Sequence, residues 1–380
     1  MNSIFKIVQG RLAASALSAC VLSAPAFALT DVLDTPAMKS DQAADHLLLD
    51  VATAGANFVA VGARGHIILS DDDGSSWQQV DVPVSVMLTA VHFPDSSNGW
   101  AVGHGGVVLH SNDGGASWVK QFDGNLANKS IIQQSQDVVS ELEAQLDVAS
   151  EEDLEDLEYE LEEAQFALED AQLDAEVGAS KPFLDVFFQN SRVGFAVGAY
   201  GFIFKTEDGG QTWVNYGDRM DNIDRFHLNA ISKVGDTLIV AGEAGVMFRS
   251  EDDGDSWETV DSPYDGSFFG LIATGDKNVV LAFGLRGNLF RSEDAGQTWE
   301  RLDTGTESTL MGAANDGSGK ISIVGNSGSV LLSQDGGRTF SESVRENRLG
   351  NVSTVYAGGR RMLMVGESGL SVTTPAGENL

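Results

Sequence analysis

Four side chains that could do chemistry lie inside turns framed by paired glycines. Arg64 and Arg286 are cations, Tyr200 is a phenol and Glu243 is a carboxylic acid, each set within a Gly-x-x-Gly pair. A glycosidase of the sialidase type needs arginines that hold the substrate carboxylate and a tyrosine activated by a glutamate. His104 stands in another such turn, where a single histidine is more often an ordinary turn residue than a catalyst.

Three further arginines, Arg225, Arg345 and Arg348, occupy connections between repeats. Each taken singly is expected to be a solubilising charge. Together with Arg64 and Arg286 they could form a basic patch on an acidic protein, which would suit an acidic partner. We therefore treat these eight residues as a candidate partner-binding face. An alternative is that an acidic segment of the same chain covers the patch.

The motifs of several other reactions are missing from the sequence. There is no phosphate-binding loop, His-Glu-x-x-His zinc motif or nucleophile elbow. The run Asp71-Asp72-Asp73 has the residue types of a calcium loop but lacks its remaining ligands. A net charge of −33 disfavours nucleic acid and anionic membrane surfaces as partners. We expect no cofactor and no metal.

The glycine pairs recur with a period typical of a β-propeller. Successive pairs are 41, 95, 44, 42, 41 and 41 residues apart, and they begin at Gly62, Gly103, Gly198, Gly242, Gly284, Gly325 and Gly366. Short apolar runs between Gly and Asp turns at this period predict one four-stranded sheet per repeat. With strands A to D running outward, the Gly-x-x-Gly turns join B to C and share a face with the D–A connections. The fold is therefore predicted to be all-β, a seven-bladed β-propeller.

Six repeats carry a Ser/Thr-x-Asp-x-Gly-x-Ser/Thr-aromatic sequence, the Asp box, in the predicted C–D turn on the opposite face. The aspartate is expected to accept hydrogen bonds from nearby backbone N–H groups, and the glycine to supply a positive φ. The aromatic residue is expected to pack between sheets. This structural role is assigned to Asp72, Asp113, Asp208, Asp252, Asp294 and Asp335, and to Trp77, Trp118, Trp213, Trp257, Trp299 and Phe340.

The seventh repeat ends without an Asp box or an outer strand. Residues 30–36 read Thr-Asp-Val-Leu-Asp-Thr-Pro and are similar to the outer strands that begin at Trp257 and Trp299. An unpaired strand edge invites aggregation. The sequence therefore predicts that residues 30–36 complete the seventh blade and close the ring.

The spacing of 95 residues contains an insertion. Residues 137–177 hold 17 acidic residues and no basic one, and an apolar seam of three- and four-residue steps runs through them. This predicts an acidic α-helical hairpin over 125–180 that rises on the Gly-x-x-Gly face. Blades one and two with the closing strand are assigned to 29–124, blades three to seven to 181–374, and a C-terminal tail to 375–380.

The first 28 residues predict an export signal. Lys6 and Arg11 flank the start of an apolar stretch, and Ala26-Phe27-Ala28 is a small-residue cleavage site. Cleavage there would remove Cys20, the only cysteine. The alternative is lipidation at Cys20, because Leu-Ser-Ala-Cys over 17–20 fits a lipoprotein box. Either outcome predicts an exported protein with no segment inserted in a membrane.

Blades such as residues 194–213, Gly-Phe-Ala-Val-Gly-Ala-Tyr-Gly-Phe-Ile-Phe-Lys-Thr-Glu-Asp-Gly-Gly-Gln-Thr-Trp, resemble those of the photosystem II stability/assembly factor family of the bacterial neuraminidase repeat class. The resemblance covers most of residues 30–374 outside the hairpin. It implies a non-enzymatic exported propeller that engages a newly made membrane protein, partly through an arginine-rich patch. Sparse arginines and the acidic insertion depart from the family pattern.

Two functions remain after these observations. The first is a non-enzymatic scaffold that docks or helps assemble a membrane protein complex. It would lie in the thylakoid lumen of a photosynthetic source, or in the periplasm of a heterotroph as a transporter accessory protein. The alternative is a sialidase-like glycoside hydrolase or a carbohydrate-binding lectin. The Arg-Ile-Pro motif near the start of sialidases is absent, which weakens the alternative.

Overall fold

Each of the seven repeats forms one antiparallel sheet in the computed structural model, which describes residues 31–358 and 361–380. Six of these sheets have four strands and the seventh has three. In every sheet the strands follow one another in chain order, so each turn joins neighbouring strands. The predicted export signal, Cys20 and the first residue of the predicted closing strand lie outside the described residues.

The first two sheets precede the helices. Their strands are β1 (Leu48–Ala54), β2 (Asn57–Gly62), β3 (Ile67–Ser70) and β4 (Gln78–Gln79), then β5 (Leu88–His92), β6 (Gly99–Gly103), β7 (Val108–Ser111) and β8 (Val119–Phe122). Helices α1 (Gly124–Leu146) and α2 (Leu154–Glu176) follow. The third and fourth sheets comprise β9 (Phe183–Phe188), β10 (Gly194–Gly198), β11 (Ile203–Thr206), β12 (Val214–Asn215), β13 (Leu228–Val234), β14 (Thr237–Gly242), β15 (Met247–Ser250) and β16 (Glu258–Thr259).

The last three sheets continue the same pattern. Their strands are β17 (Phe268–Ala273), β18 (Val280–Gly284), β19 (Leu289–Ser292), β20 (Glu300–Leu302), β21 (Leu310–Asn315), β22 (Ile321–Gly325), β23 (Ser329–Ser333), β24 (Ser341–Val344), β25 (Asn351–Tyr356), β26 (Met362–Gly366) and β27 (Gly369–Thr373). The second strand of each sheet is almost wholly buried, as expected for a strand covered on both faces.

The first strands of the seven sheets contact one another in succession. β1 contacts β5, β5 contacts β9, and the succession continues through β13, β17 and β21 to β25, which in turn contacts β1. Hydrogen bonds reinforce these contacts. Thr89 Oγ1 donates to Phe183 O over 2.8 Å, and Asn229 Nδ2 donates to Phe268 O over 2.8 Å. Twisted antiparallel sheets arranged in this way are typical of a β-propeller.

The paired glycines are required by two close approaches of the backbone. A Cβ on Gly62 would lie 2.3 Å from the carbonyl oxygen of Leu47, where the chain enters β1. Gly65 has a φ of +73°, and a Cβ there would lie 2.3 Å from the carbonyl oxygen of Val84, in the connection that crosses the turn. Both positions therefore need glycine, while the two residues between them are free to differ from sheet to sheet.

Aromatic side chains fill the space between adjacent sheets. Trp100 and Phe188 are fully buried and stack with ring centroids 3.5 Å apart, between the second and third sheets. Trp213 meets Phe188 edge-on at 5.9 Å. The box tryptophans thus lie in the core between sheets, where aromatic pairs add about 1 kcal/mol beyond the area they bury.

The two helices form an antiparallel hairpin that begins beside the second Gly-x-x-Gly turn. Asp123 caps α1 by accepting hydrogen bonds from the backbone N–H groups of Asn125 and Leu126. Gln134 bonds both the backbone and the side chain of Asn215, which attaches α1 to the third sheet. The base of the hairpin is therefore held against the propeller.

The predicted closing strand is not part of the seventh sheet. Val32 O accepts a hydrogen bond from Ser85 N over 2.9 Å, and Ala37 N donates to Val82 O over 3.0 Å. Leu33 is buried in the apolar cluster shared by the first two sheets. The segment therefore lies against the connection between the first and second sheets, and Lys120 of β8 bonds Leu33 O and Asp34 from the second sheet.

The C-terminal tail takes the outer position of the seventh sheet instead. Thr373 forms a bridge with Asn379, and Leu380 N donates to Val372 O over 3.2 Å. A tail that follows β27 through a tight turn closes a much shorter loop than a segment from the other end of the chain, so its entropic cost is lower.

Candidate partner-binding face

The Gly-x-x-Gly face presents several residues in a left-handed backbone conformation. Between paired glycines, Arg64, Tyr200 and Arg286 have φ values of 58°, 59° and 56°. In connections on the same face, Arg225 and Arg348 both have a φ of 53°. Each such non-glycine residue costs on the order of 1 kcal/mol. Ala244 and Ser327 share the conformation at the equivalent turn position, so it belongs to the geometry of the turn.

Three of these arginines have no polar partner among the residues that the structure describes. The side chains of Arg64, Arg286 and Arg348 are exposed, and they make neither a hydrogen bond nor an ion pair with any described residue. The net charge of the chain is −33. Cations left unpaired on so acidic a protein are available to a carboxylate from outside.

Tyr200, His227 and Glu243 form one contact group between the third and fourth sheets. The ring of Tyr200 meets the imidazole of His227 edge-on, with centroids 5.0 Å apart. Glu243 Oε2 accepts a hydrogen bond from the backbone N–H of His227 over 3.2 Å and lies 3.8 Å from its Nδ1. The carboxylate is therefore engaged by His227, and no hydrogen bond joins it to the Tyr200 hydroxyl within the described part of the chain.

Arg225 is paired with the acidic hairpin, although its side chain stays 55% exposed. Its Nη2 donates to Asp170 Oδ2 over 3.3 Å, and its Nη1 lies 4.0 Å from Asp174 Oδ2. Lys181 pairs with the same Asp174 and stands over the ring of Phe202 at 5.0 Å. Helix α2 thus neutralises one arginine of the candidate face.

Arg345 is not a surface residue, which corrects its assignment to the face. Its side chain is buried, and it donates hydrogen bonds to Asn351 Oδ1 over 2.8 Å, Ser371 Oγ over 3.0 Å and Asn379 Oδ1 over 2.9 Å. Burial lowers the pKa of this guanidinium. Arg345 therefore ties the C-terminal tail to the seventh sheet, a role that its position in a connection did not reveal.

His104 keeps the exposed turn position that the sequence suggested. It follows Gly103 at the start of the second Gly-x-x-Gly turn, and its backbone N–H donates to Met87 O over 2.9 Å. The imidazole makes no hydrogen bond with a described residue. His104 therefore lies beside the start of α1, at the base of the hairpin.

A central cavity of about 380 Å³ contains two aspartates that sequence reasoning missed. The cavity is lined by the first strand of every sheet. Asp50 Oδ1 accepts from Ser353 Oγ over 2.6 Å and its Oδ2 from Val91 N over 2.8 Å, while Asp185 Oδ2 accepts from Ile231 N over 2.9 Å. Each carboxylate therefore joins neighbouring sheets. The repeated Leu-Asp-Val at 49–51 and 184–186 was the available signal.

The environment of the cavity disfavours ionisation of both carboxyl groups. Burial raises the pKa of Asp50 to about 6, against the hydrogen bonds from Ser353 and the backbone. Burial also raises the pKa of Asp185 to about 7, and the nearby charge of Asp50 contributes to the increase. Two acids confined in one cavity behave in this way because both charges lose hydration and repel each other.

The opposite face consists of Asp boxes, in each of which the aspartate accepts hydrogen bonds from its own turn. Asp72 accepts from the backbone N–H and the hydroxyl of Ser76 over 2.8 and 2.7 Å, and Ser70 Oγ donates to it over 2.9 Å. These bonds, with that from the Ser76 hydroxyl the strongest, hold the pKa of Asp72 at about 2. The other five boxes repeat the pattern at Asp113, Asp208, Asp252, Asp294 and Asp335.

Metal-binding clusters and membrane-spanning helices are both absent from the described ranges. No group of three or more His, Cys, Asp or Glu side chains is placed to hold a metal ion in residues 31–358 and 361–380. No helix of that part of the chain is long and apolar enough to cross a membrane.

The repeats of this chain match the sequence model of a known protein family. The model of the photosynthesis system II assembly factor YCF48 family matches residues 69–140 and 167–319, which is more than half of the chain. The chain belongs to this family. The matched stretches include residues 124–140 of α1 and 167–176 of α2, and they omit residues 141–166, which contain the end of α1, the turn and the first part of α2.

Solved structures of the YCF48 family share the fold at low identity. A YCF48 structure bound to a D1 peptide is 15% identical with a TM-score of 0.60, covering 88% of this chain and 94% of that chain. YCF48 from Cyanidioschyzon merolae is 14% identical with a TM-score of 0.57, covering 87% and 95%. The GH74 enzyme of Niastella koreensis is 13% identical with a TM-score of 0.58, covering 87% of this chain and 52% of that chain. None of the curated proteins compared matches the chain.

Proposed function

We propose that this chain is an exported, non-enzymatic scaffold that docks a membrane protein, or its assembly complex, on the Gly-x-x-Gly face. The observation that carries the proposal is the set Arg64, Arg286 and Arg348, which are exposed, held in left-handed backbone and unpaired among the described residues. Membership of an assembly-factor family supports a protein partner. The YCF48 neighbour that binds a D1 peptide supports a partner segment from a membrane protein.

The proposed docking mode is passive recognition by a rigid surface. Backbone turns fixed by paired glycines present the arginines at separate places on the face, so an extended segment with acidic side chains or a terminal carboxylate would contact more than one of them. We propose that the seven sheets are the blades of one closed ring, bounded over 29–124 and 181–374 with the hairpin over 125–180, and that residues 375–380 complete the seventh blade. We also propose that the protein functions in the periplasm or a lumen.

A glycoside hydrolase is not favoured. Tyr200 and Glu243 would have to act as a nucleophile pair, yet Glu243 is bonded to the backbone of His227. The likeness to the GH74 enzyme is at 13% identity and therefore concerns the fold alone. Turnover of a fluorogenic sialoside that is abolished by Tyr200→Phe or Glu243→Gln would reverse this conclusion.

The scaffold proposal is tested by capture from solubilised membranes of the native source. The triple variant Arg64→Glu, Arg286→Glu, Arg348→Glu is expected to lose the membrane proteins that the unaltered chain retains. A charge-matched control changes exposed cations elsewhere, with Lys277→Glu, Arg301→Glu and Lys320→Glu, and is expected to keep them. Identical partner sets for the two triple variants would contradict the proposal.

A further inference from the structure

Helix α2 carries a row of large apolar side chains that point to solvent. Tyr159, Phe166 and Leu173 are 65%, 57% and 54% exposed, and Val177, just after the helix, is 71% exposed. The first three are spaced by seven residues and Val177 follows four residues later. This spacing places one apolar residue per heptad along one side of the helix, and Val177 adds a single four-residue step. At 1.5 Å per residue the row runs for about 27 Å.

The exposed row is distinct from the seam that joins α2 to α1. The seam consists of half-buried or buried residues spaced by three and four, among them Leu157, Leu161, Leu168 and Ala171. At 100° per residue, the seam and the exposed row lie on opposite sides of α2. One side of the helix is therefore occupied by α1, and the exposed row lies on the other.

Acidic side chains surround the row. Glu162, Glu163 and Asp170 are exposed and lie on the same side of the helix, in the gaps between the aromatic residues. No basic residue occurs between 137 and 177. An apolar row framed by one sign of charge selects a partner with the opposite sign, because unlike charges at the flanks steer and orient the docking.

The lower end of the row meets the candidate partner-binding face. Asp170 pairs with Arg225 in the connection between the third and fourth sheets. Ile223, two residues before that arginine, is 88% exposed. A helix lying along the row would thus approach the face at this connection, next to Tyr200, which contacts the same connection through His227.

We propose that the outer side of α2 is a docking site for a basic amphipathic helix of the partner, with apolar residues at heptad spacing and Lys or Arg beside them. This inference rests on the proposed function, since it names the chemistry of one segment of the same partner. A second copy of this chain is disfavoured as the occupant, because two hairpins would bring like charges together. The arginines of the face and the acids of the hairpin would then contact different segments, one acidic and one basic.

The test uses a synthetic helical peptide of three heptads, with leucine at a and d and lysine at the other positions, and the full-length chain. We expect binding that survives moderate salt, measured by fluorescence anisotropy. The triple variant Tyr159→Ser, Phe166→Ser, Leu173→Ser is expected to weaken it at least about tenfold, as loss of buried anchors does. The control Val138→Ser, Val148→Ser removes exposed apolar residues of the hairpin outside the row and is expected to leave binding unchanged.

Three outcomes would overturn the inference. Equal binding of the unaltered chain and the triple serine variant would show that charge alone attracts the peptide, and so would equal binding of a peptide with the same composition but scrambled order. Sedimentation that shows a dimer which becomes monomeric in the triple serine variant would assign the row to self-association. Each of these results leaves the scaffold proposal standing, because that proposal fails only if the Arg64, Arg286 and Arg348 variants keep the partners of the unaltered chain.

Discussion

The two faces of the propeller are built from turns of opposite character. On the Asp-box face, each aspartate is bonded by the hydroxyl and the backbone of its own turn, and the pattern repeats from sheet to sheet. On the Gly-x-x-Gly face the glycines repeat, and so does the left-handed conformation of the residue before the second glycine, which six of the seven turns share. The side chains at that position differ, and those of Arg64 and Arg286 are unpaired among the described residues. The repeated backbone of both faces is structural, and the faces differ in their side chains, which vary and include unpaired cations only on the Gly-x-x-Gly face.

Arg345 provides the largest expected effect, because it is the arginine of the candidate face that behaves as a structural residue. Arg345→Ala removes buried donors from Asn351, Ser371 and Asn379, and we expect a loss of about 3 kcal/mol in the free energy of unfolding, measured with urea. Arg348→Ala, three residues along the same connection, is the control, with an expected change below about 0.5 kcal/mol. Equal losses of stability in the two variants would contradict the assignment of Arg345 as structural and of Arg348 as an exposed residue of the face.

Asp50 and Asp185 lie in the central cavity between the two faces. The second largest expected effect is the pH-dependent contribution of Asp185 to the free energy of unfolding. Asp185 has a pKa of about 7 in the folded chain against an ordinary value of 3.8. The unfolded chain therefore loses this proton first, so the stabilisation is complete below about pH 4 and is lost as the pH rises through 7. We expect the stability advantage of the unaltered chain over Asp185→Asn to shrink by about 2 kcal/mol between pH 5 and pH 7. A constant difference over that range would rule out a raised pKa.

The aspartate of an Asp box is expected to stabilise the fold with a pH dependence opposite to that of Asp185, and by a smaller free energy. Asp252→Ala removes an acceptor of three hydrogen bonds in one turn, and we expect a loss of about 1 kcal/mol at neutral pH, similar to the loss of a helix cap. The hydrogen bonds from Ser256 hold the pKa of Asp252 at about 2, so this contribution is present above pH 4 and is lost as the pH falls toward 2. The control Asp261→Ala removes an exposed carboxylate without such bonds. Should the two variants unfold alike, the box would not act as a turn clamp.

The smallest expected effect is an increase in stability. Arg286→Gly is expected to raise the free energy of unfolding by roughly 0.5 kcal/mol, because relief of the left-handed strain outweighs the added chain entropy of glycine. The same substitution is expected to weaken partner capture. Arg301→Gly, in strand β20, is the control and is expected to lower stability. A loss of stability in Arg286→Gly would mean that the arginine serves the fold rather than binding.

The candidate face could be predicted in part from the sequence. The period of the glycine pairs identified the turns that present Arg64, Tyr200 and Arg286, since a turn position depends only on local spacing. It could not show that Arg345 is buried, because that depends on where the C-terminal tail lies. It also missed Asp50 and Asp185, since an acid inside an apolar strand becomes conspicuous only when several sheets bring their first strands together.

The sequence by itself determined the repeat, the turn chemistry and the acidic hairpin, because glycine pairs, Asp boxes and three- and four-residue apolar steps act within one repeat or one helix. Only the tertiary structure decided which segment completes the seventh sheet, because the sequence pattern favoured residues 30–36 and gave no such signal in the tail after β27. The tail takes that place because its turn is short, while Leu33 finds its burial against the first sheet. Local spacing fixes local geometry, and competition between distant segments is settled by packing.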